Sequence, residues 1–137
     1  MRKEILFRGI TIEEGKMVEG YPQFDVLENC FRISESTTGQ YLFHYIKNET
    51  LGEFTGKYDG QVKKIFEDDI IENVDTKELQ IVYWNEDKAS WYCRSLNDLN
   101  INVPLYESLG NLNIKVGNIW SNPWSSRKRI KSFFYWD

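Results

Sequence analysis

Hydrophobic and polar residues alternate over short stretches of this chain, and turn-forming residues separate those stretches. The clearest pair is ELQIVYWN (78–85) and ASWYCRSL (89–96), both rich in β-branched and aromatic residues. Alternation with a period of two and this composition are typical of half-buried β-strands. We therefore predict a β-hairpin whose connecting loop is the polar stretch 85–88.

The same pattern predicts further strands along the chain. They are KEILFRGITI (3–12), a short returning strand at 16–19, NCFRISE (29–35), YLFHYI (41–46) and IKVGNIW (114–120). Gly9 lies inside the first of them and is a candidate bulge. A single helical turn is predicted at 104–109, with Pro104 at its first position and Gly110 beyond its end.

Glycines punctuate the segment LGEFTGKYDGQVKKIFEDDII (51–71), which has Gly52, Gly56 and Gly60 within nine residues. This spacing excludes a stable helix, and Asp59-Gly60 is a dipeptide typical of hairpin turns. Short strands between glycine turns predict an all-β or β-rich α+β fold, built as a small, partly open β-barrel of antiparallel strands. We expect residues 1–126 to form one domain, followed by a tail at 127–137.

Composition narrows the class of protein further. Hydrophobic residues make up 41% of 137 residues and aromatic residues 15%, which suits a folded domain rather than a disordered chain. No apolar run is long enough to cross a bilayer, and MRKEILFRG lacks the apolar core of a signal peptide. We therefore expect a protein of the cytoplasm that does not act in a membrane.

Charge is unevenly distributed along the chain. The net charge is −4, from 17 basic and 21 acidic residues. Setting aside the four cations of RKRIK (127–131) and the acidic Asp137 leaves 13 basic and 20 acidic residues, so residues 1–126 carry −7. An acidic body repels phosphate backbones, so nucleic-acid binding would have to come from the tail.

Metal-binding and nucleophilic residues are scarce. Cys30 and Cys93 are distant in sequence, and we predict that both are free buried thiols. His44 is the only histidine. Two cysteines and one histidine without paired spacing are a poor zinc set, so we expect no metal and no cofactor. His44 fits a strand position in YLFHYI, although a catalytic Cys-His or Ser-His-Asp arrangement of distant residues stays open.

Three segments of the chain stand out as motifs: KEILFRG followed by KMVEG, then LGEFTGKYDGQVKKIFEDDII, and finally VGNIWSNP. Together these segments resemble the YopX family of phage and prophage proteins. The resemblance covers roughly residues 1–21, 51–72 and 114–123. It implies a small β-rich protein encoded by a phage or an integrated prophage, and it implies no activity and no catalytic residues.

The chain departs from the family pattern at one informative position. Asp68 stands where the family usually has glycine before Asp69. The glycine suits a turn with positive φ, and aspartate is one of the few other residues that tolerate such a turn. We therefore predict that position 68 supplies backbone geometry rather than close access for a ligand.

The acidic stretch that contains Glu67, Asp68, Asp69 and Glu72 has two interpretations. Carboxylates that converge with distant residues could hold a hard cation or act as catalytic acids and bases. The simpler interpretation is a polar turn that leads into a strand, in which Asp69 accepts backbone N–H groups. We favour the turn, because no calcium-loop or phosphate-loop pattern occurs here.

Trp84, Trp91 and Trp120 fall in predicted strands, and we expect core or barrel-mouth positions for them rather than a ligand cage.

The tail joins a basic run to an aromatic one. It could pack on the body, join a neighbouring copy, stay disordered, or bind nucleic acid through phosphate contacts and base stacking. The candidate contact residues are Arg127, Lys128, Arg129, Lys131, Phe133, Phe134, Tyr135 and Trp136.

These features favour a non-enzymatic accessory protein that binds another macromolecule. The alternative function is nucleic-acid binding by a small β-barrel through its C-terminal tail. Self-association into a homo-oligomer is a third expectation about partners. An enzymatic function remains open only if carboxylates such as Asp69 and Glu72 converge with distant residues.

Overall fold

The computed structural model describes residues 4–37, 40–98, 100–110 and 112–121. The chain divides into two compact units, with the division between Gly56 and Lys57. Both units are built from antiparallel strands, so the predicted β-rich class is confirmed. The described strands form open sheets rather than a closed barrel. The predicted domain boundary at residue 126 lies outside the described residues and stays a prediction.

The first unit is an antiparallel sheet with the strand order β4-β3-β2-β1-β5. Its buried core comprises Val18, Ile33 and Ile46. The strands are β1 (Phe7–Ile10), β2 (Met17–Asp25), β3 (Cys30–Thr37), β4 (Gln40–Tyr45) and β5 (Gly52–Tyr58), and a 3₁₀ turn (Asn48–Thr50) precedes β5, which runs past the division between the units.

Strand β2 continues well beyond the predicted 16–19, although it contains Gly20 and Pro22. A Cβ at position 20 would collide with the backbone carbonyl of Ser34, so only glycine fits where β2 and β3 approach closely. Pro22 follows Gly20, the last residue of β2 that pairs with β1. Beyond Gly20 no described strand pairs with β2 on its β1 side, which is a position where proline is tolerated in a strand.

Gly9 is not the predicted bulge. It pairs in regular register with Val18 of the neighbouring strand. A Cβ at this position would collide with the side chain of Ile46, a member of the buried core. Glycine therefore serves core packing here rather than a bend of the strand.

The second unit is a sheet with the strand order β10-β9-β8-β7-β11. The strands of this sheet are β7 (Asp69–Asn73), β8 (Leu79–Asn85), β9 (Ser90–Ser95), β10 (Asn102–Pro104) and β11 (Asn113–Asn118). The second unit also contains β6 (Lys64–Phe66), which is not a strand of this sheet, and the helix α1 (Leu105–Ser108). The predicted hairpin is confirmed as β8–β9. Because Asn85 pairs with Ser90, its turn is 86–89, one residue later than predicted.

Both faces of the second sheet carry buried apolar residues. One face packs a cluster of Ile65, Ile71, Val82, Cys93 and Leu105. The other packs a cluster of Ile70, Ile81, Leu96 and Ile119. Two residues that follow one another along β7, or along β8, thus lie in opposite clusters. This is expected because successive side chains of a strand point to opposite faces.

The predicted helical turn at 104–109 is present but shorter. Helix α1 spans Leu105–Ser108, and Pro104 is its N-cap rather than its first residue. Leu105 and Ser108 are buried. No helix within the described ranges is long and apolar enough to cross a membrane.

Candidate functional site

The acidic stretch forms a turn between β6 and β7, as predicted. Asp69 is fully buried, and its Oδ2 accepts the backbone N–H of Phe66 at 2.7 Å. The predicted acceptance of a backbone N–H by Asp69 is therefore confirmed. A carboxylate that bonds an N–H three residues earlier in the chain stabilises the turn itself.

Lys115 of β11 is the charged partner that the local sequence did not indicate. Its Nζ lies 3.2 Å from Asp69 Oδ2 and donates to the backbone carbonyl of Lys64 at 3.0 Å. It also lies 5.4 Å from the ring centroid of Phe66, a favourable cation–π distance. The ammonium group therefore connects β6, β7 and β11 at the edge of the second sheet.

Asp59 reinforces the same region from the preceding turn. Its Oδ1 accepts the N–H groups of Gln61 at 2.8 Å and Lys63 at 2.9 Å. Its Oδ2 accepts the N–H of Lys115 at 2.7 Å. Burial acts to raise the pKa of Asp59, but these three N–H groups together hold the pKa below its ordinary value. The carboxylate therefore serves the turn as a fixed anionic acceptor.

Asp68 adopts the left-handed backbone conformation predicted from the family pattern, with φ of 71°. Its backbone N–H donates to the carbonyl of Val82 at 2.9 Å. Its Oδ2 accepts the indole N–H of Trp120 at 3.3 Å. Glu67 and Glu72 are half-buried nearby. Within the described ranges, no three histidine, cysteine or acidic side chains are grouped so that they could hold a metal ion.

The cysteines and the histidine have separate structural settings. Cys30 is half-buried, Cys93 is buried, and both are free thiols. Burial raises the pKa of Cys93 to about 12, although a hydrogen bond with Ser108 acts in the opposite direction. His44 occupies its predicted strand position in β4, and its Nε2 lies 3.0 Å from Glu35 Oε2.

The three tryptophans in predicted strands differ in how far they are buried. Trp91 and Trp120 pack against the two buried clusters of the second unit. Trp84 makes an edge-to-face contact with Trp91, with ring centroids 5.1 Å apart, but it is 43% exposed. Of the two predicted positions, core and barrel mouth, the core position is wrong for Trp84.

An aromatic face on the first unit is the best candidate binding surface. We define this aromatic face as a group of six side chains that strand register places on one side of β2, β3 and β4. Gln23 pairs with Arg32, which pairs with Tyr45, and Tyr21 and Phe43 both pair with Ser34. Its members are Tyr21, Gln23, Asp25, Arg32, Phe43 and Tyr45.

Contacts within the aromatic face hold its side chains in place. The Arg32 guanidinium donates to Gln23 Oε1 at 2.9 Å and lies 4.7 Å from the ring centroid of Phe43. The rings of Phe43 and Tyr45 meet edge to face, with centroids 5.6 Å apart. The cation is thus fixed on an aromatic ring rather than left to sample many rotamers.

Asp25 anchors the other end of the aromatic face. The Tyr45 hydroxyl donates to Asp25 Oδ2 at 2.9 Å, while Asp25 Oδ1 accepts the N–H groups of Leu27 and Glu28. The hydrogen bond from Tyr45 is the main reason why the pKa of Asp25 lies below its ordinary value. The same bond raises the pKa of Tyr45.

Comparison with protein families gives a match that extends across both units. The model of the YopX protein family matches residues 6–124. The chain belongs to the YopX family. The resemblance inferred from three short motifs is therefore confirmed. A comparison with curated proteins gives no match.

The candidate contacts in the tail of this YopX protein lie outside the described residues. They are Arg127, Lys128, Arg129, Lys131, Phe133, Phe134, Tyr135 and Trp136. Their proposed role therefore stays a prediction.

The aromatic face of the YopX chain was not predicted from its sequence. Its signal was the alternation of Tyr21, Gln23 and Asp25 in β2, which the apparent strand breakers Gly20 and Pro22 obscured. Arg32 and Phe43 join this face only through the register of β3 and β4. One sequence does not specify that register.

Proposed function

We propose that this YopX protein is a phage- or prophage-encoded accessory protein that works in the cytoplasm of a bacterial host. It acts by binding another macromolecule, and it performs no catalytic step of its own. The aromatic face is the observation that carries this proposal. Tyr21 is 50% exposed and Phe43 is 47% exposed, with Arg32 held between their strands.

The composition of this face suits protein recognition. Tyrosine and arginine are enriched among the residues that dominate binding energy at protein interfaces, and aromatic rings supply large contact area. The contacts of Arg32 with Gln23 and Phe43 hold the side chain before any partner arrives. Prior ordering lowers the entropic cost of binding, which supports a role in association.

Two acidic residues of the second unit, Asp59 and Asp69, have structural partners that account for their positions. Asp69 accepts the N–H of Phe66 and pairs with Lys115, and Asp59 accepts three backbone N–H groups. Asp59 is a poor general base, because its three N–H donors lower the pKa of its carboxyl. These contacts support a non-enzymatic role.

The test is affinity capture of tagged protein from phage-infected cells, followed by quantitative mass spectrometry. Wild type is compared with Tyr21→Ala/Arg32→Ala, which strips the aromatic face. The matched control, Tyr106→Ala/Lys88→Ala, removes one exposed aromatic residue and one exposed cation from the second unit. We expect the face variant to recover about tenfold less of a specific partner, since truncation of an interface hot spot costs that much or more.

Equal recovery of every captured protein by the face variant and the control would contradict the proposal. Light scattering on the purified variants then separates two kinds of partner. Loss of an oligomer in the face variant alone identifies the partner as a second copy of the chain. An unchanged mass together with lost capture identifies a different macromolecule.

Nucleic-acid binding through the tail is the second candidate function. It is favoured by four cations and four aromatic residues within 127–136, a combination that suits phosphate contacts and base stacking. Deletion of 127–137 should abolish a salt-sensitive gel shift with labelled single-stranded DNA or RNA. Absence of a shift with the intact protein at low salt excludes this candidate.

A further inference from the structure

Strand β4 is the outermost strand of the first sheet, and only part of its outer edge is covered by described residues. The Ile12 N–H donates to the carbonyl of Tyr45, and the Lys47 N–H donates to the carbonyl of Ile10, both at 2.9 Å. The chain then turns back, as the Gly15 N–H donates to the carbonyl of Thr11. The segment 10–12 therefore covers only the C-terminal end of β4.

Alternation of backbone bonds fixes the direction of the remaining groups. The Ile46 N–H donates inward to the carbonyl of Phe31 on β3, whereas the Tyr45 carbonyl points outward to Ile12. Phe43 lies two residues before Tyr45, so its backbone N–H and carbonyl also point outward. In the described part of the chain, no strand pairs with this edge at Phe43. Such an edge is a template for an added strand.

A pocket of about 220 Å³ lies beside this edge. It is lined by Thr11, Glu13, Glu14, Phe43, His44 and Tyr45. Glu13 and Glu14 are exposed, and the lining contains no lysine or arginine. The lining of this pocket therefore carries two carboxylates next to the outward backbone groups of β4, with aromatic rings at its side.

We propose that the outer edge of β4 binds an extended, lysine- or arginine-rich peptide segment of a partner protein. The segment adds as a strand beside Phe43, and its basic side chains pair with Glu13 and Glu14. Backbone bonds supply affinity in this mode, and the carboxylates select the basic sequence. This inference rests on the proposed function and specifies the kind of partner that the first unit accepts.

The test uses a fluorescein-labelled heptapeptide of alternating lysine and valine, added to the full-length protein at low salt. We expect a saturable rise in fluorescence anisotropy. A peptide with glutamate in place of lysine, and one that is N-methylated at alternate residues, should not saturate. The first lacks the complementary charge, and the second cannot donate along one edge of the strand.

Two protein variants locate the site. Glu13→Gln/Glu14→Gln should weaken binding about fivefold, the range expected for two solvent-exposed ion pairs. The matched control, Glu86→Gln/Asp87→Asn, neutralises two acidic residues in an exposed turn of the second unit and should not change affinity. Both pairs carry the same change in net charge, so a difference between them reports position rather than total charge.

Hydrogen exchange of the Phe43 amide reports strand addition directly. The amide should exchange at least tenfold more slowly when the peptide is saturating, because its outward N–H gains an acceptor. Phe43→Pro removes that N–H without removing a bond to β3, so it should abolish peptide binding. If this variant fails to fold by circular dichroism, the exchange measurement and the N-methylated peptide decide the question.

Two results would overturn the inference. One is equal binding of the lysine and glutamate peptides, and the other is binding that leaves Phe43 exchange unchanged. Neither result contradicts the proposed function if partner capture still depends on Tyr21 and Arg32. Conversely, peptide binding at β4 with unaltered capture by the Tyr21→Ala/Arg32→Ala variant would sustain the edge site and remove the aromatic face as the partner surface.

Discussion

Replacing Asp69 by alanine removes the carboxylate that joins β6, β7 and β11. The backbone N–H of the buried Phe66 loses its 2.7 Å acceptor, and Lys115 loses the carboxylate oxygen 3.2 Å from its Nζ. Asp69 itself is 0% exposed, so the substitution also leaves a small space inside the second unit. Three adverse changes thus coincide at one position.

The expected loss of folding stability follows from these contacts. Removing one partner of a buried ion pair costs about 3–5 kcal/mol, because the remaining charge keeps its desolvation penalty. The Lys115 side chain is 23% exposed and can regain part of its hydration, so the expected loss of stability for Asp69→Ala is about 3 kcal/mol. Asp69→Asn retains an acceptor for Phe66, so it should cost about 1.5 kcal/mol.

Urea unfolding followed by tryptophan fluorescence measures both losses. All five tryptophans of the chain occur after residue 57, so the signal reports the second unit. Asp87→Ala is the control, since Asp87 lies exposed in the β8–β9 turn, and it should change stability by less than about 0.5 kcal/mol.

A double variant separates the ion pair from the backbone bond. Lys115→Met removes the uncompensated ammonium group, so Asp69→Asn/Lys115→Met should be more stable than the sum of the two single losses predicts. Additive losses would show that the two charges do not interact. An Asp69→Ala variant within about 0.5 kcal/mol of wild type would refute the whole account of this turn.

Three further predictions concern other residues. Asp68→Ala should cost about 1 kcal/mol in urea unfolding, and Asp68→Gly should cost less, because glycine adopts φ of 71° without a Cβ penalty. A thiol reagent at mildly alkaline pH should label Cys30 in the folded protein and reach Cys93 only after denaturation, since burial raises the pKa of Cys93 to about 12. Tyr45→Phe should raise the pKa of the Asp25 carboxyl in an NMR titration. Because folding lowers that pKa, the contact stabilises the protein above the unfolded-state pKa, and the contribution is lost as pH falls through the lowered value.

Strong local patterns gave the most reliable sequence predictions. The β8–β9 hairpin combines alternation with a polar turn, and that turn lies one residue later than predicted. The acceptance of a backbone N–H by Asp69 was also predictable, because Phe66 is only three residues away. The length of β2 was not, since Gly20 resembles a strand breaker unless the approach of Ser34 is known.

Long-range partners account for what the sequence did not predict. Lys115 is 46 positions from Asp69, and nothing local indicates that β7 and β11 are neighbours. The aromatic face likewise depends on the register that aligns Arg32 with Tyr45. Both features are properties of strand pairing, which forms only when distant parts of the chain meet.

The burial of apolar residues on both faces of the second sheet has a consequence for its evolution. An antiparallel sheet with one face in water usually accepts changes at every second residue. In β7 and β8, Ile70 and Ile71, like Ile81 and Val82, are adjacent in sequence and buried on opposite faces. A saturation scan should therefore find consecutive intolerant positions along these strands, and the variation permitted among homologues should concentrate in the connecting turns.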